Sequence, residues 1–273
     1  MKELPFVTVF TPNYNKSKYL PETIESVLHQ TYENFEYIIV DDCSTDESWD
    51  IIRTYASKDE RIRAYRNNEN LKIVKTRNKG FQFSSKEAKY YAILDSDDVS
   101  VPERLEKQVA FLEENPQYGL IGSETIVIDE ESKEIGYRKY ASSDLEIRKV
   151  ITRLNPIAQS SVLIRKQAIQ DIGYYDEKWN VCQDYDYWLR IGIDWKLKNF
   201  NKPLIKYRLS GTQVKITNLK ETVRNTYLIQ KKAVKDYNYD DSLYNKFYRL
   251  ILRLTILYPK FAYFIYRRMI NKQ

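Results

Sequence analysis

Short apolar runs alternate with segments of helical period along the first half of the chain. Phe6-Val7-Thr8-Val9-Phe10-Thr11 reads as a strand that ends in a loop composition at Pro12, Asn13, Tyr14 and Asn15. Leu20, Ile24, Val27 and Leu28 then fall on one helical face, and Phe35 to Val40 forms a second strand that runs into Asp41-Asp42-Cys43-Ser44. The spacing of Trp49, Ile52 and Tyr55 predicts a second helix, and Ile62 to Tyr65 a third strand. Val74 to Phe83 reads as irregular or helical, and Tyr90 to Leu94 is a fourth strand followed by Asp95-Ser96-Asp97-Asp98 and a helical pattern from Pro102. Beyond Pro116, Leu120 to Asp129 and Ser161 to Arg165 read as strands, while Asp184 opens a helix that runs to Ile191. From Leu219 the pattern is helical, with Pro259 expected to split the last stretch in two. Strands alternating with helices predict an α/β fold with a parallel sheet whose polar loops, at Asn13, Asp42 and Asp95, converge at one edge.

The chemistry concentrates after the fourth strand. Three acids bunched at a strand's carboxyl end repel one another unless a cation or solvent screens them, and that end of an open α/β sheet is where ligands bind. An Asp-x-Asp spacing offers two carboxylates to one hard cation, Mg2+ or Mn2+, with substrate phosphates completing the shell. A turn with a helix cap accounts for the same residues by local hydrogen bonding alone. The chain has only seven glycines, and no glycine-rich phosphate loop follows the first strand. A metal-bridged diphosphate is therefore favoured over a dinucleotide redox cofactor.

Composition narrows the class. With 42% hydrophobic residues over 273 positions the chain can bury a substantial core. Cys43 and Cys182 are the only cysteines, too few for a disulfide framework, and read as free thiols in a reducing compartment. His29 is the only histidine and lies in the first helical pattern, which gives it a structural role and argues against a Ser-His-Asp or Cys-His centre. With no long uncharged apolar run and no apolar stretch near Met1, the expectation is a cytoplasmic protein.

Residues 241–273 hold seven bases against the single acid Asp241, which is the whole formal excess of +6. The rest of the chain is balanced, so a broad nucleic-acid surface is not expected. In the tail, Leu250, Ile251, Leu254, Leu257, Tyr258, Phe261, Phe264 and Ile265 keep helical spacing, with Lys246, Arg249, Arg253, Lys260 and Arg267 on another face. That profile suits a helix on an anionic membrane surface, and equally a pair of helices packed on the body of the protein or on a second subunit.

Taken together, Val7 to Asn15, Glu25 to Tyr32, Phe35 to Asp46, Arg77-Asn78 and Leu94 to Asp98 resemble glycosyltransferase family 2, inverting enzymes of the GT-A fold. The resemblance is dense over residues 5–115 and resumes at 159–192. It implies a Rossmann-like nucleotide-binding domain with a mainly parallel central sheet over residues 1–215, split into a nucleotide-sugar half (1–115) and an acceptor half (116–215), followed by a helical tail over 216–273. By this match Thr11, Tyr14 and Asp42 hold the base and ribose of a nucleotide sugar, and Arg77 and Ser96 lie beside it. Asp97 is the direct metal ligand, and Asp95 lies nearer the ribose or donor sugar and shares the metal. Tyr14 offers a ring face, Asp42 can accept the imide proton of uracil or thymine, and a bound cation stabilises a departing diphosphate.

Gln183-Asp184-Tyr185 matches the motif whose Asp takes the acceptor's proton, although Asp184 also suits a helix terminus; Asp186 would pair with Arg190 at i+4. The implied function is transfer of one sugar from a UDP- or dTDP-linked donor to a saccharide acceptor, expected to be lipid-linked, in bacterial envelope polysaccharide synthesis. The alternatives are a sugar-nucleotide pyrophosphorylase, which should begin with a glycine-rich loop, and a non-catalytic saccharide-binding protein, which would not need Asp95, Asp97 and Asp184 together. Cys43 stands where the family has glycine, Gln183 where it has an acid, and Ser210 where many relatives carry a histidine. The Gln-x-x-Arg-Trp signature of processive members is absent.

Overall fold

The computed structural model describes residues 4–210 and 218–257. Strands β1 (Val7–Asn13), β2 (Phe35–Asp41), β3 (Ile62–Arg66) and β4 (Tyr90–Ile93) form a parallel block in the order β3-β2-β1-β4. Every residue of β1, β2 and β4 is buried. These strands are covered on both faces, which is why they are mostly apolar and do not alternate strictly between apolar and polar positions. Alternate side chains supply two cores. Phe10, Ile38, Val40, Tyr91 and Ile93 face one, and Val9, Tyr37, Ile39, Tyr90 and Ala92 face the other.

Helices α1 (Leu20–Leu28), α2 (Ser48–Ala56) and α4 (Arg104–Glu114) cover the second core through Leu20, Ile24, Ile52, Leu105 and Leu112. Helix α3 (Lys72–Phe83) covers the first, so the stretch read as irregular or helical is helical. At Gly80 the helix lies so close to the sheet that a Cβ would sit 2.5 Å from the Phe10 ring.

β1 continues through Pro12 and Asn13, where a loop was expected. β2 follows it to Asn13↔Asp41, but β4 pairs with it only as far as Phe10. Beyond that point β1 has one strand neighbour, and the donor that Pro12 lacks is not required on the open side.

The second half is mixed. β8 (Leu163–Arg165) runs antiparallel to both β4 and β6 (Tyr118–Ile128), while β6 pairs parallel with the long β9 (Lys196–Arg208). β7 (Glu134–Arg138) adds to β6, and the two-residue β5 (Val99–Ser100) adds to β9. The full order is β3-β2-β1-β4-β8-β6-β9-β5. Four strand spacings, about 19 Å, separate β4 from β5 in a flat sheet. The link between them is only Leu94 to Asp98 and contains a turn, Asp98 N–H to Asp95 O, so the sheet must curl to bring β9 back over the end of β4.

Helices α5 (Asp144–Val150), α6 (Lys166–Ile172) and α7 (Gln183–Asp194) pack on the first core. Two helices follow, α8 (Leu219–Asp236) and α9 (Leu243–Leu257). α8 lies on α7: Ile229 and Ala233 join the core, and the Lys232 ammonium reaches Asp186 at 3.0 Å. The described part of the tail is therefore helical, and α8 docks on the body. Arg249, expected on a free basic face, is turned inward and paired with Asp241. The boundary at 215/216 and the residues from Tyr258 on, with Pro259 and Lys260, fall outside the described residues.

Candidate active site

The loops after β1, β2 and β4 meet at one end of the parallel block, as the alternating pattern requires. The first two are stitched together. Asn13 donates to Asp41 (2.9 Å) and Ser44 (3.2 Å), the Asn15 amide donates to the Ser44 hydroxyl, and the Thr45 amide donates back to Asn15. Between these anchors Tyr14 projects outward, 44% exposed, as a ring face open to solvent. Asp42 is buried, and one of its oxygens accepts from Asn67 and from the Leu71 amide, both at 2.8 Å. Cys43 has φ 62°, the left-handed conformation that glycine adopts at least cost, so the glycine expected here would suit the position. Thr11 differs from its neighbours. It is fully buried inside β1 with its hydroxyl 2.9 Å from that of Tyr37, so its side chain is engaged within the sheet.

The loop after β4 holds its acids in three different states. Asp95, 30% exposed at its side chain, accepts from the Arg77 guanidinium at 2.5 Å, and its amide donates to the Ser160 hydroxyl. Asp97 lies 2.8 Å from the Lys16 ammonium. Asp98 is buried, with one oxygen accepting the Arg208 amide at 2.9 Å and the other without a partner. Burial, and then the charges of Asp97 and Asp95, hold the Asp98 carboxyl well above its ordinary range. Ser96 is buried beside them.

Arg77, 4% exposed, is the hinge of the arrangement. It bonds Asp95, feels the charge of Asp184, and keeps Nε and Nη1 without a protein partner. Unpaired donors on a buried cation are unusual in a finished structure and fit a site completed by what binds there. Asp184 reaches this cleft from the other half of the chain. It is the second residue of α7, 3% exposed, and accepts from Asn155 at 2.8 Å. Cys182, with φ 64°, turns the chain into the helix. Asp186, two positions on, faces away and is held by Arg190 (3.1 Å) and Lys232 (3.0 Å), so the expected i+4 pair is present with a second base beside it.

Sequence reading missed four supports. Arg208, fully buried, donates to the Asp97 carbonyl, the Asp129 carbonyl, Ser132 and Glu22, and so fixes the acidic loop to α1. Its signal in the sequence is its place in Tyr207-Arg208-Leu209-Ser210, two positions before the serine that stands where the resemblance expects a histidine. Lys16, Ser160 and Asn155 carry no motif signal visible in one sequence, because each acts on an acid at least 29 positions away. His29 proves to lie just past the end of α1, exposed, with its ring bonded to the Glu25 carbonyl.

Among the described residues no group of three or more His, Cys, Asp or Glu side chains is arranged to hold a metal ion. The donors still fit a hard divalent cation. Asp95 and Asp97 offer carboxylate oxygens, and a cation, the Lys16 ammonium, already lies against Asp97. Two carboxylates with phosphate and water in the remaining positions is a shell that Mg2+ and Mn2+ accept.

The family model described as Glycosyl transferase family 2 matches residues 8–173. The chain is 35% identical to a glycosyltransferase of Methanocaldococcus jannaschii over 86% of this chain and 77% of that one. It is 30% identical to the Escherichia coli UDP-Glc:alpha-D-GlcNAc-diphosphoundecaprenol beta-1,3-glucosyltransferase WfaP, over 86% of this chain and 90% of WfaP. Among solved structures, S. aureus TarS with UDP-GlcNAc superposes with a TM-score of 0.66 at 18% identity, covering 85% of this chain and 71% of TarS. The mannosyltransferase PcManGT of Pyrobaculum calidifontis, solved with GDP-Man and Mn2+, does so with 0.63 at 13% identity, covering 93% and 87%. The curled α/β sheet is thus the one found in GT-A enzymes, and the chain belongs to glycosyltransferase family 2.

Proposed function

We propose that the protein moves one sugar from a UDP- or dTDP-linked donor to a saccharide acceptor, with inversion, in the synthesis of an envelope polysaccharide. The observation that supports this is buried Arg77, which bonds Asp95 in the loop after β4 and lies within electrostatic reach of Asp184. Tyr14 would stack on the base, and Asp42 would accept its imide proton. Thr11 would support this pocket from within the sheet. Arg77, Asp95 and Ser96 would lie along the ribose, diphosphate and sugar, with Asp97 and Asp95 holding Mn2+ or Mg2+. A bound cation would supply charge stabilisation for the departing diphosphate.

Asp184 takes the proton from the acceptor hydroxyl as its oxygen bonds to the anomeric carbon. The bond from that carbon to the diphosphate breaks on the opposite face, which inverts the centre. Asn155, a neutral donor, holds the carboxylate in place without cancelling its charge. Residues 1–115 would then serve as the nucleotide-sugar half, 116–215 as the acceptor half and 216–273 as an appended tail.

The likeness to WfaP, named for a diphosphoundecaprenol-linked acceptor, supports a lipid-linked acceptor; the reading puts that acceptor at the cytoplasmic face of a membrane. No helix among the described residues is long and apolar enough to cross a bilayer. α9 instead presents Leu243, Tyr244, Phe247, Leu250 and Leu254 to solvent, while its inward positions include the polar Asn245 and Thr255. Exposed Lys246 and Arg253 border that apolar stripe, the combination that favours an anionic lipid surface.

A panel of nucleotide sugars with and without Mn2+, read by thermal shift, tests the donor reading, since a ligand of the native state raises its melting temperature. Failure of every UDP- and dTDP-sugar to shift it would overturn that reading. Salt-sensitive co-sedimentation with anionic but not neutral vesicles tests the α9 surface. A concentration-dependent dimer with no vesicle binding would assign the stripe to a second copy.

A further inference from the structure

The Lys16–Asp97 pair has a consequence for how metal and donor enter. The lysine head lies 2.8 Å from Asp97, with both side chains largely shielded at 21% and 15% exposure. Its backbone is fixed, because the Lys16 amide donates to Ser48 and the preceding Asn15 amide to Ser44. The head itself sits on a flexible four-carbon stem. The other bases near the loop are tied down: Arg77 is buried against Asp95, and Arg208 is held by Glu22 and three further oxygen partners and lies over the Tyr19 ring. Lys16 faces that same ring more loosely, at 6.0 Å. Of these three bases, Lys16 is the one built to change partners.

We propose that Lys16 is the resident counter-cation of Asp97 in the donor-free protein and couples metal binding to donor binding. The inference rests on the reading of Asp97 as a metal ligand. A divalent ion arriving alone must compete with an ammonium for the same carboxylate, and the two cations repel each other at that range. A nucleoside diphosphate arriving with the metal offers the ammonium a new anionic partner as it leaves Asp97. Metal and nucleotide therefore bind with positive and reciprocal coupling, and Lys16 is a positioning residue for the donor complex.

The test is Mn2+ binding to the full chain, read from the free-ion signal in electron paramagnetic resonance, with no nucleotide and with UDP or dTDP. Wild type, Lys16→Met, Lys16→Gln, Lys16→Arg and Asp97→Asn are compared, with melting temperatures as the check on folding. Removing the lysine charge should tighten nucleotide-free Mn2+ binding about ten-fold and shrink the gain produced by nucleotide by a similar factor. Lys16→Gln, which can still hydrogen-bond Asp97, stands in if Lys16→Met folds poorly. Lys16→Arg should bind free Mn2+ as weakly as wild type. Unchanged nucleotide-free affinity in both neutral variants, with Asp97→Asn losing Mn2+, overturns the role of Lys16 alone. Mn2+ binding by Asp97→Asn equal to wild type removes Asp97 from the metal site, and the inference goes with it.

Discussion

Two acidic regions of the protein, the loop after β4 and the first turn of α7, each carry carboxylates two positions apart in different electrostatic settings. In the loop, Asp95 and Asp97 each meet a base, and Asp98 is sealed away and pushed toward its neutral form. In α7, Asp186 is clamped between Arg190 and Lys232, whereas Asp184 has the neutral amide of Asn155. A buried carboxylate with a base on each oxygen, as in Asp186, is a structural tie, because its charge is already answered; Asp95, partly exposed, has its base on one oxygen only. A carboxylate matched by a mobile base can exchange that base for a metal. One held by a neutral donor keeps its charge for the proton it is to accept. Residue type alone draws none of these distinctions.

Substitution at the two α7 acids should separate their roles most widely. Asp184→Asn should lower turnover about 100-fold or more while leaving nucleotide affinity near wild type, as for a lost general base. Steady-state kinetics beside UDP titration would show it, and unaltered turnover would reduce Asp184 to a helix-terminal acid.

Asp186→Asn should do the reverse. It strands Arg190 and Lys232, both mostly buried, without their anion, so stability should fall by about 2–3 kcal/mol in urea unfolding, while turnover per folded molecule changes little. Since Lys232 lies on α8, loosening of the tail should accompany the loss, visible as faster amide exchange there. If Asp186→Asn instead kept its stability and lost turnover, the two assignments would have to be exchanged.

The smallest effect belongs to Asp98. Its folded carboxyl titrates above its unfolded one, so between those values the native state holds more protons than the unfolded chain. Stability from this group is therefore fully present below the ordinary carboxyl value, about 4, and is lost as pH rises through the folded value. Asp98→Asn can still accept the Arg208 amide and has no proton to lose. Thermal melts of metal-free protein from pH 4 to 8 should show the variant gaining on wild type by a few degrees as pH rises, and a constant difference across that range would contradict the protonated form.

The strands and helices around the donor loops were legible because β1, β2 and β4 are buried on both faces and are rich in β-branched and aromatic residues, with few polar positions such as Thr8 and Glu36 among them. α5, α6, β5, β7 and β9 were not. β5 has only two residues, and β7 is almost wholly exposed. β9 mixes lysines and asparagines with its apolar positions because much of it reaches solvent, so it gives no clean period. The site divides in the same way. The order of motifs marked Thr11, Tyr14, Asp42, Arg77, Asp95, Ser96, Asp97 and Asp184 as candidates, whereas the bond between the Thr11 and Tyr37 hydroxyls depends on a strand neighbour 26 positions away.

What the sequence determined by itself was therefore the kind of chemistry and its order along the chain: parallel strands ending in polar loops, acids where a diphosphate and a cation would meet, and a further acid opening a later helix. Only the tertiary structure decided the state of each acid. Lys16 reaches Asp97 across 81 positions, Arg208 reaches Asp98 across 110, and Asn155 reaches Asp184 across 29. Charge interactions and desolvation act over a few ångströms of space, whereas a sequence records only separation along the chain, so partners brought together by the curl of the sheet leave no local trace.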